Sequence, residues 1–223
     1  MKRILTVILV FVCLFSMTAC SSKENTVKQS SDRQTIQEPV TTRGEKILVA
    51  YFSWAENAII DGEVDAVTSP SVTAPGNVAQ MADWIQEKTG GNSFPIQVKE
   101  PYSSDWDDCL ERANKERSDN ARPKLKKSVE NIEDYDVIFL GYPTWWYGAP
   151  MAVLSFIEEN NLSGKQVYLF CSHGTGGLAE SVGDIESVLP KSTELSEDIF
   201  DAGEDETLSS EQDIVNWLEK LEF

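Results

Sequence analysis

The chain has 223 residues, 19 of them basic and 37 acidic, which gives a formal net charge of −18 and an isoelectric point near 4.4. Such a surface repels polyanions, which argues against nucleic acid and anionic membrane faces as partners, although the same charge also serves simply to keep a secreted chain in solution. Four cysteines and a single histidine offer no metal-ligand spacing.

The first element is a leader. Met1-Lys2-Arg3 is basic, and Ile4 to Phe15 is almost wholly apolar, too short for a comfortable membrane span. Ser16-Met17-Thr18-Ala19-Cys20 follows and resembles the lipobox of bacterial lipoproteins, with Met17 where leucine is the commoner choice. The expectation is a signal peptide over residues 1–19, lipidation of Cys20 and an anchor on the outer face of the cell membrane; an ordinary secretory signal cleaved after Ala19 is the alternative. Both place the folded part outside the cytoplasm. Losing Lys2 and Arg3 from the 19 basic residues leaves 17 against 37 acidic, a net charge of −20. From Cys20 to Gly44 the chain is poor in large apolar residues and reads as a flexible linker.

Residues 45–223, about 180 in all, are enough for one domain with a single core and few for two. Five apolar runs read as strands: Lys46 to Phe52, Ser93 to Val98, Asp136 to Leu140, Gln166 to Cys171 and a weaker Thr193 to Phe200. Apolar throughout rather than alternating, they suit strands covered on both faces, as in a parallel sheet between helices. Helical spacing appears at Val78, Met81, Ala82 and Ile85 before the stop signal Gly90-Gly91, then over Ser104 to Arg117 with Leu110 and Ala113 facing inward. Further helices follow Pro150, span Leu178 to Leu189, and span Ser210 to Leu221. Five alternating strand–helix units make a doubly wound α/β three-layer sandwich. Cys109 falls on a helix and Cys171 at a strand end, so a disulfide between them requires favourable geometry.

Ligands in such sheets bind beyond the C-terminal strand ends, near the reversal of strand order. Three loops lie there. The first is unusually long, Trp54 to Pro75, and is either functional or an acidic ornament carrying Glu56, Asp61, Glu63 and Asp65. It joins Ser53 to Gly76-Asn77-Val78, where hydroxyl, amide and helix N-terminal N–H groups can cradle a phosphate without a lysine, though Asn77 also reads as a simple N-cap. Neither a Gly-x-x-x-x-Gly-Lys nor a Gly-x-Gly-x-x-Gly pattern is present, which argues against triphosphate and dinucleotide sites. The second loop, Gly141 to Gly148, carries Pro143, Thr144 and the consecutive aromatics Trp145, Trp146 and Tyr147. Three such rings cannot all enter the core from one loop, so as a group they offer faces for stacking on a heteroaromatic ring, while either tryptophan alone could equally plug a gap. The third joins His173 to Gly174, Thr175, Gly176 and Gly177, whose backbone can approach a ligand closely. His173 reads equally as a structural or solvated residue, and no nucleophile accompanies it in a triad pattern.

Tyr51-Phe52-Ser53, Gly76-Asn77, Gly141-Tyr142-Pro143-x-Trp145-Trp146 and the glycine-rich Ser172 to Gly177 together resemble the flavodoxin-like family, in particular its bacterial flavoprotein and quinone-oxidoreductase-like members. The resemblance covers the domain from Lys46 through Ala202 and implies strand order 2-1-3-4-5 and bound FMN. By position it implies that Ser53, Trp54, Gly76, Asn77 and Val78 grip the phosphate, that Pro143 to Gly148 run along the ring, and that His173 to Gly177 close its other edge. The chain departs from the family's Ser-x-x-Gly-Asn-Thr pattern: the long first loop splits it, and Val78 replaces the threonine and removes a hydroxyl. The implied role is electron transfer or FMN-dependent oxidoreduction, with the acidic domain disfavouring the anionic reduced flavin and lowering the potential of its last reduction step. The alternative is a non-catalytic binding domain that has lost FMN, a reading that gains if Glu56 or Asp61 takes the phosphate position.

Overall fold

The computed structural model describes residues 46–60 and 69–223. The expected leader, Cys20, the linker to Gly44, and the acidic residues Asp61, Glu63 and Asp65 lie outside the described residues. In chain order the elements are β1 (Ile47–Tyr51), β2 (Ala58–Ile59), α1 (Asn77–Thr89), β3 (Asn92–Pro95), β4 (Tyr102–Ser103), α2 (Trp106–Ser118), β5 (Val137–Pro143), α3 (Met151–Glu159), β6 (Gln166–His173), α4 (Ser181–Val188), β7 (Glu194–Leu195), β8 (Phe200–Gly203) and α5 (Glu211–Leu218).

The apolar runs explain the layering. Every residue of β1 is buried, and its side chains alternate between two cores because successive Cβ atoms leave opposite faces of a strand. Ile47, Val49 and Tyr51 join Phe139, Phe170 and the α1 and α5 residues Met81, Ile85, Ile214 and Trp217. Leu48, Ala50 and Phe52 join Ile138, Leu140, Leu169, Cys109 of α2, the α3 residues and Ile185 of α4. Each fully buried aliphatic side chain stabilises the fold by about 1.5–3 kcal/mol relative to exposure.

All pairings of the main sheet are parallel, in the order β3-β1-β5-β6, with β7 and β8 both on the far side of β6. Taken as one interrupted edge, β7 and β8 complete the 2-1-3-4-5 order. The interruption is a register effect: β6 advances three residues from Val167 to Phe170 while the edge advances five from Leu195 to Phe200. Ser196 to Ile199 absorb the excess, with the Ser196 hydroxyl accepting from the Asp198 N–H at 3.1 Å.

Several expected boundaries move, among them α4, which starts at Ser181 rather than Leu178, and α5, which ends at Leu218 rather than Leu221. β3 ends at Pro95 rather than Val98, and Val98 instead bridges Leu125 in antiparallel fashion. β5 and β6 run past Leu140 and Cys171 to Pro143 and His173. Gly141-Tyr142-Pro143 looks like a loop by composition, but Gly141 pairs with Phe170 and a Cβ at Gly141 would fall on the Phe170 ring. Pairing with Phe170, Cys171 and Ser172 of β6 therefore keeps these residues extended, and the Phe170 ring leaves room only for glycine at 141. On α2 the buried residue is Cys109, with Leu110 and Ala113 only half-buried. Gly90 closes α1 in the left-handed conformation, φ 71°, its N–H donating to Gln86 O at 2.8 Å. Cys109 and Cys171 are both buried free thiols.

Candidate functional site

The C-terminal ends of β1, β5 and β6 surround a cavity of about 320 Å³. Of the residues expected at a site, Trp54, Pro143, Thr144, Trp145, Trp146, Tyr147, His173, Gly174, Thr175, Gly176 and Gly177 line it; Ser53, Gly76, Asn77, Val78 and Gly148 do not. Ser69, Ser71, Trp106, Ser172 and Glu204 line it as well. Ser172 opens the glycine-rich motif, whereas no motif announces Ser69, Ser71, Trp106 or Glu204. Trp106 is legible in retrospect as a large aromatic on the exposed first turn of a helix capped by Asp105.

The aromatic wall is a tight hairpin. Trp145 N–H donates to Gly148 O at 2.8 Å and Gly148 N–H returns to Trp145 O at 3.1 Å, with Trp146 at φ 47° and Tyr147 at φ 62°. Two successive positive φ values are those of a type I′ turn, which normally selects Asn and Gly. In bulky side chains the conformation is costly, of order 1–3 kcal/mol per residue, and such strain clusters at binding sites. The three rings diverge. Trp145 enters the core, its centroid 4.8 Å from Tyr102 and 5.3 Å from Phe52, so it is the plug that holds the turn down. Trp146 is half-buried beside Trp106, centroids 5.5 Å apart. Tyr147 is 73% exposed.

The base of the hairpin is clamped from α2 and α4. Arg117 donates to Asp184 at 2.6 Å and to Glu180 at 2.8 Å, Asp184 also accepts from the Ala149 N–H at 3.0 Å, and Glu180 N–H donates to Tyr147 O at 3.0 Å. The Arg117 guanidinium packs where a Cβ on Gly148 would sit, so Gly148 admits the clamp rather than a ligand.

The facing wall leaves β6. Gly177 turns at φ 61°, its N–H donating to Gly174 O at 3.2 Å, while among the described residues the N–H groups of Thr175 and Gly176 have no acceptor. Gly176 lies across from the Tyr147 ring: a Cβ there would stand 3.8 Å from it. His173 reaches Gly174 O at 2.8 Å through Nδ1 and Asp201 of β8 at 2.9 Å through Nε2. Acceptors at both nitrogens favour the doubly protonated ring. Partial burial opposes the charge, but the hydrogen bond and charge of Asp201 and the Gly174 carbonyl outweigh it, so His173 titrates above its usual range. Burial pushes the Cys171 thiol up to about 12, which removes it as a nucleophile.

The end of the cavity next to α1 is different. Asn57 ties the first loop to the sheet, its amide donating to Ser53 O at 2.9 Å and Ile96 O at 3.0 Å and accepting from the Val98 N–H at 2.9 Å. β2 pairs in parallel with β4, and Trp54 Nε1 donates to Ser103 O at 3.0 Å. Ser53, Gly76, Asn77 and Val78 are all buried. The Asn77 amide donates to Glu204 O at 2.8 Å and Ser172 Oγ at 3.2 Å, joining α1 to the ends of β6 and β8 rather than facing the cavity. The Gly76 N–H donates to Glu56 Oε1 at 3.0 Å, and a Cβ on Gly76 would fall on Ser53 Oγ and stand 3.1 Å from Ser71 O. Ser69 Oγ and Ser71 Oγ are 2.7 Å apart, and Ser69 donates to Glu204 at 2.8 Å.

Set against FMN, which the family resemblance implies, the two ends give different answers. Flat aromatic faces, glycine backbone and free N–H donors fit a flavin ring. The start of α1, where a phosphate would lie, holds a carboxylate.

The family model described as Flavodoxin matches residues 66–221. A solved structure of a Bacteroides eggerthii protein assigned as a flavoprotein is 30% identical, covering 78% of this chain and 96% of that one with a TM-score of 0.59. The corresponding Bacteroides uniformis structure is 25% identical over 79% of this chain and 99% of that one, TM-score 0.58. A flavoprotein from Lactobacillus acidophilus, solved in complex with FMN, shares the fold at 15% identity, with 76% and 99% coverage and a TM-score of 0.51. A 49-residue stretch is 41% identical to Flavodoxin 1 of Salmonella typhimurium and spans 20% of this chain but only 28% of that relative's length.

Proposed function

The chain belongs to the flavodoxin family, and we propose that its domain over residues 45–223 binds FMN in the cavity and serves in electron transfer or as an FMN-dependent oxidoreductase. The observation that carries this reading is the facing pair of walls, Trp146 and Tyr147 on one side and Gly174 to Gly177 on the other, at the C-terminal edge of the parallel sheet. Tyr147 would cover one face of the ring, Trp106 and Trp146 would extend that apolar surface, and Thr175 and Gly176 would donate to ring heteroatoms. The His173 imidazolium would place a positive charge at that edge. Bound FMN would supply the redox chemistry, and the chain the orientation and electrostatics. With Cys20 lipidated and residues 20–44 as tether, the domain would work at the outer face of the membrane, passing electrons to or from carriers there or acting on quinones or a nicotinamide donor.

A second reading, a non-catalytic binding domain that has lost FMN, draws support from the Glu56 carboxylate on the Gly76 N–H. Titrating the purified apo-protein with FMN while following tryptophan fluorescence separates the two. Trp54, Trp106, Trp145 and Trp146 all line the cavity, so strong quenching at micromolar or tighter affinity is the expected outcome. Unchanged emission at saturating FMN rejects flavin binding and leaves the second reading.

A further inference from the structure

Glu56 stands on the short 3-10 turn Ala55–Asn57, which the three hydrogen bonds of Asn57 fix to Ser53, Ile96 and Val98. Its carboxylate is therefore delivered to the start of α1 by an anchored backbone rather than arriving there on a loose loop. Oε1 takes the Gly76 N–H at 3.0 Å. Oε2 is buried, would stand 3.0 Å from a Cβ on Gly76, and has no hydrogen-bond partner among the described residues. An anion is favoured at a helix N-terminus by the partial positive charge there, whereas a buried acceptor left unpaired is unfavourable. The result is a negative group in a position that suits anions, with half of its accepting capacity unused. The cavity adjoins this place through Ser71, which lines it and whose carbonyl lies against Gly76.

We propose that Glu56 occupies the seat of the flavin phosphate, so that FMN has to displace it whereas an unphosphorylated flavin does not, and that Glu56 thereby sets the preference between the two. The proposal rests on the flavin-binding reading above. A phosphate monoester and a carboxylate cannot share one small cradle, because like charges at contact repel and the buried dielectric screens them weakly. The ring walls are untouched by the exchange, since none of their residues contacts Glu56 through a hydrogen bond.

The test compares the full chain with Glu56→Ala and Glu56→Gln. Glu56→Gln keeps the side chain's shape and its acceptor for Gly76, so it answers the question if Glu56→Ala folds poorly. Thermal unfolding in rising inorganic phosphate, at constant ionic strength, is expected to show a higher Tm for both variants and no shift for the unsubstituted protein. In fluorescence titrations, Glu56→Ala is expected to tighten FMN by about tenfold or more while riboflavin stays within about twofold. The proposal is overturned if phosphate shifts all three proteins alike, or if the affinities for FMN and riboflavin move together or not at all. Variants that respond to inorganic phosphate but bind neither flavin would leave the Glu56 assignment standing and remove the flavin reading itself.

Discussion

At one end of the cavity the walls come from two contiguous stretches, 143–147 and 173–177, each leaving a strand whose register its neighbour fixes. The other end, at the start of α1, is assembled from Ser53, Glu56, Ser69, Ser71 and Gly76, brought together across an inserted segment. The first end has open faces and free N–H donors, and the second is filled by the chain's own carboxylate. A contiguous loop on a rigid strand keeps its local geometry whatever precedes it. A cradle split by an insertion becomes open to whatever side chain the insertion carries in.

Substitutions can break this contrast in order of effect. The largest is expected for Trp145→Ala, which empties the space among Phe52, Trp54 and Tyr102 beneath the hairpin. Removing a large buried aromatic costs about 3–5 kcal/mol. Urea unfolding checks this value, and a loss below 1 kcal/mol would mean that the hairpin does not depend on its plug.

Gly76→Ala is next. The new methyl meets Ser53 Oγ and crowds Glu56, and such overpacking costs about 1–3 kcal/mol. Because the crowding falls at the α1 end, the variant should lose stability by calorimetry while the pocket walls keep their fluorescence. Tyr147→Gly should act in the opposite direction, relieving a left-handed residue by about 1 kcal/mol while removing the exposed ring. A more stable protein with weakened flavin quenching would identify Tyr147 as strained for binding, and an unchanged affinity would deny it that role.

The smallest expected effect is electrostatic. His173 is the sole histidine, so its titration is readable by NMR without assignment. Its folded pKa is raised, so the Asp201 contact adds stability that is fully present below the unfolded value and is lost as pH rises through the folded one. Asp201→Asn should lower the His173 pKa and flatten that part of the pH–stability curve. An unmoved pKa would show that Asp201 does not hold the imidazolium.

Much of the fold was legible because its signals are local. The runs 46–52 and 166–171 are apolar on both faces, and Gly90 stops α1 where the pattern stops. Gly141-Tyr142-Pro143 was not, since its extended form comes from pairing with Phe170, Cys171 and Ser172 across the sheet. The site divides in the same way. Tyr147 and the glycine loop could be read from their own residues, whereas Ser69, Ser71, Trp106 and Glu204 reach the cavity only through tertiary placement. Gly148 and Asn77 lie within motifs, yet Gly148 admits Arg117 and Asn77 ties α1 to β6 and β8. A motif marks a position, and the neighbours decide what that position does.

The most direct test of the account is a crystal structure of the protein grown with FMN. The ring is expected between Tyr147 and Gly174 to Gly177, with Thr175 and Gly176 donating to it and Glu56 moved off the Gly76 N–H. A flavin bound elsewhere, or the cavity empty with Glu56 still on Gly76 at saturating FMN, would contradict it.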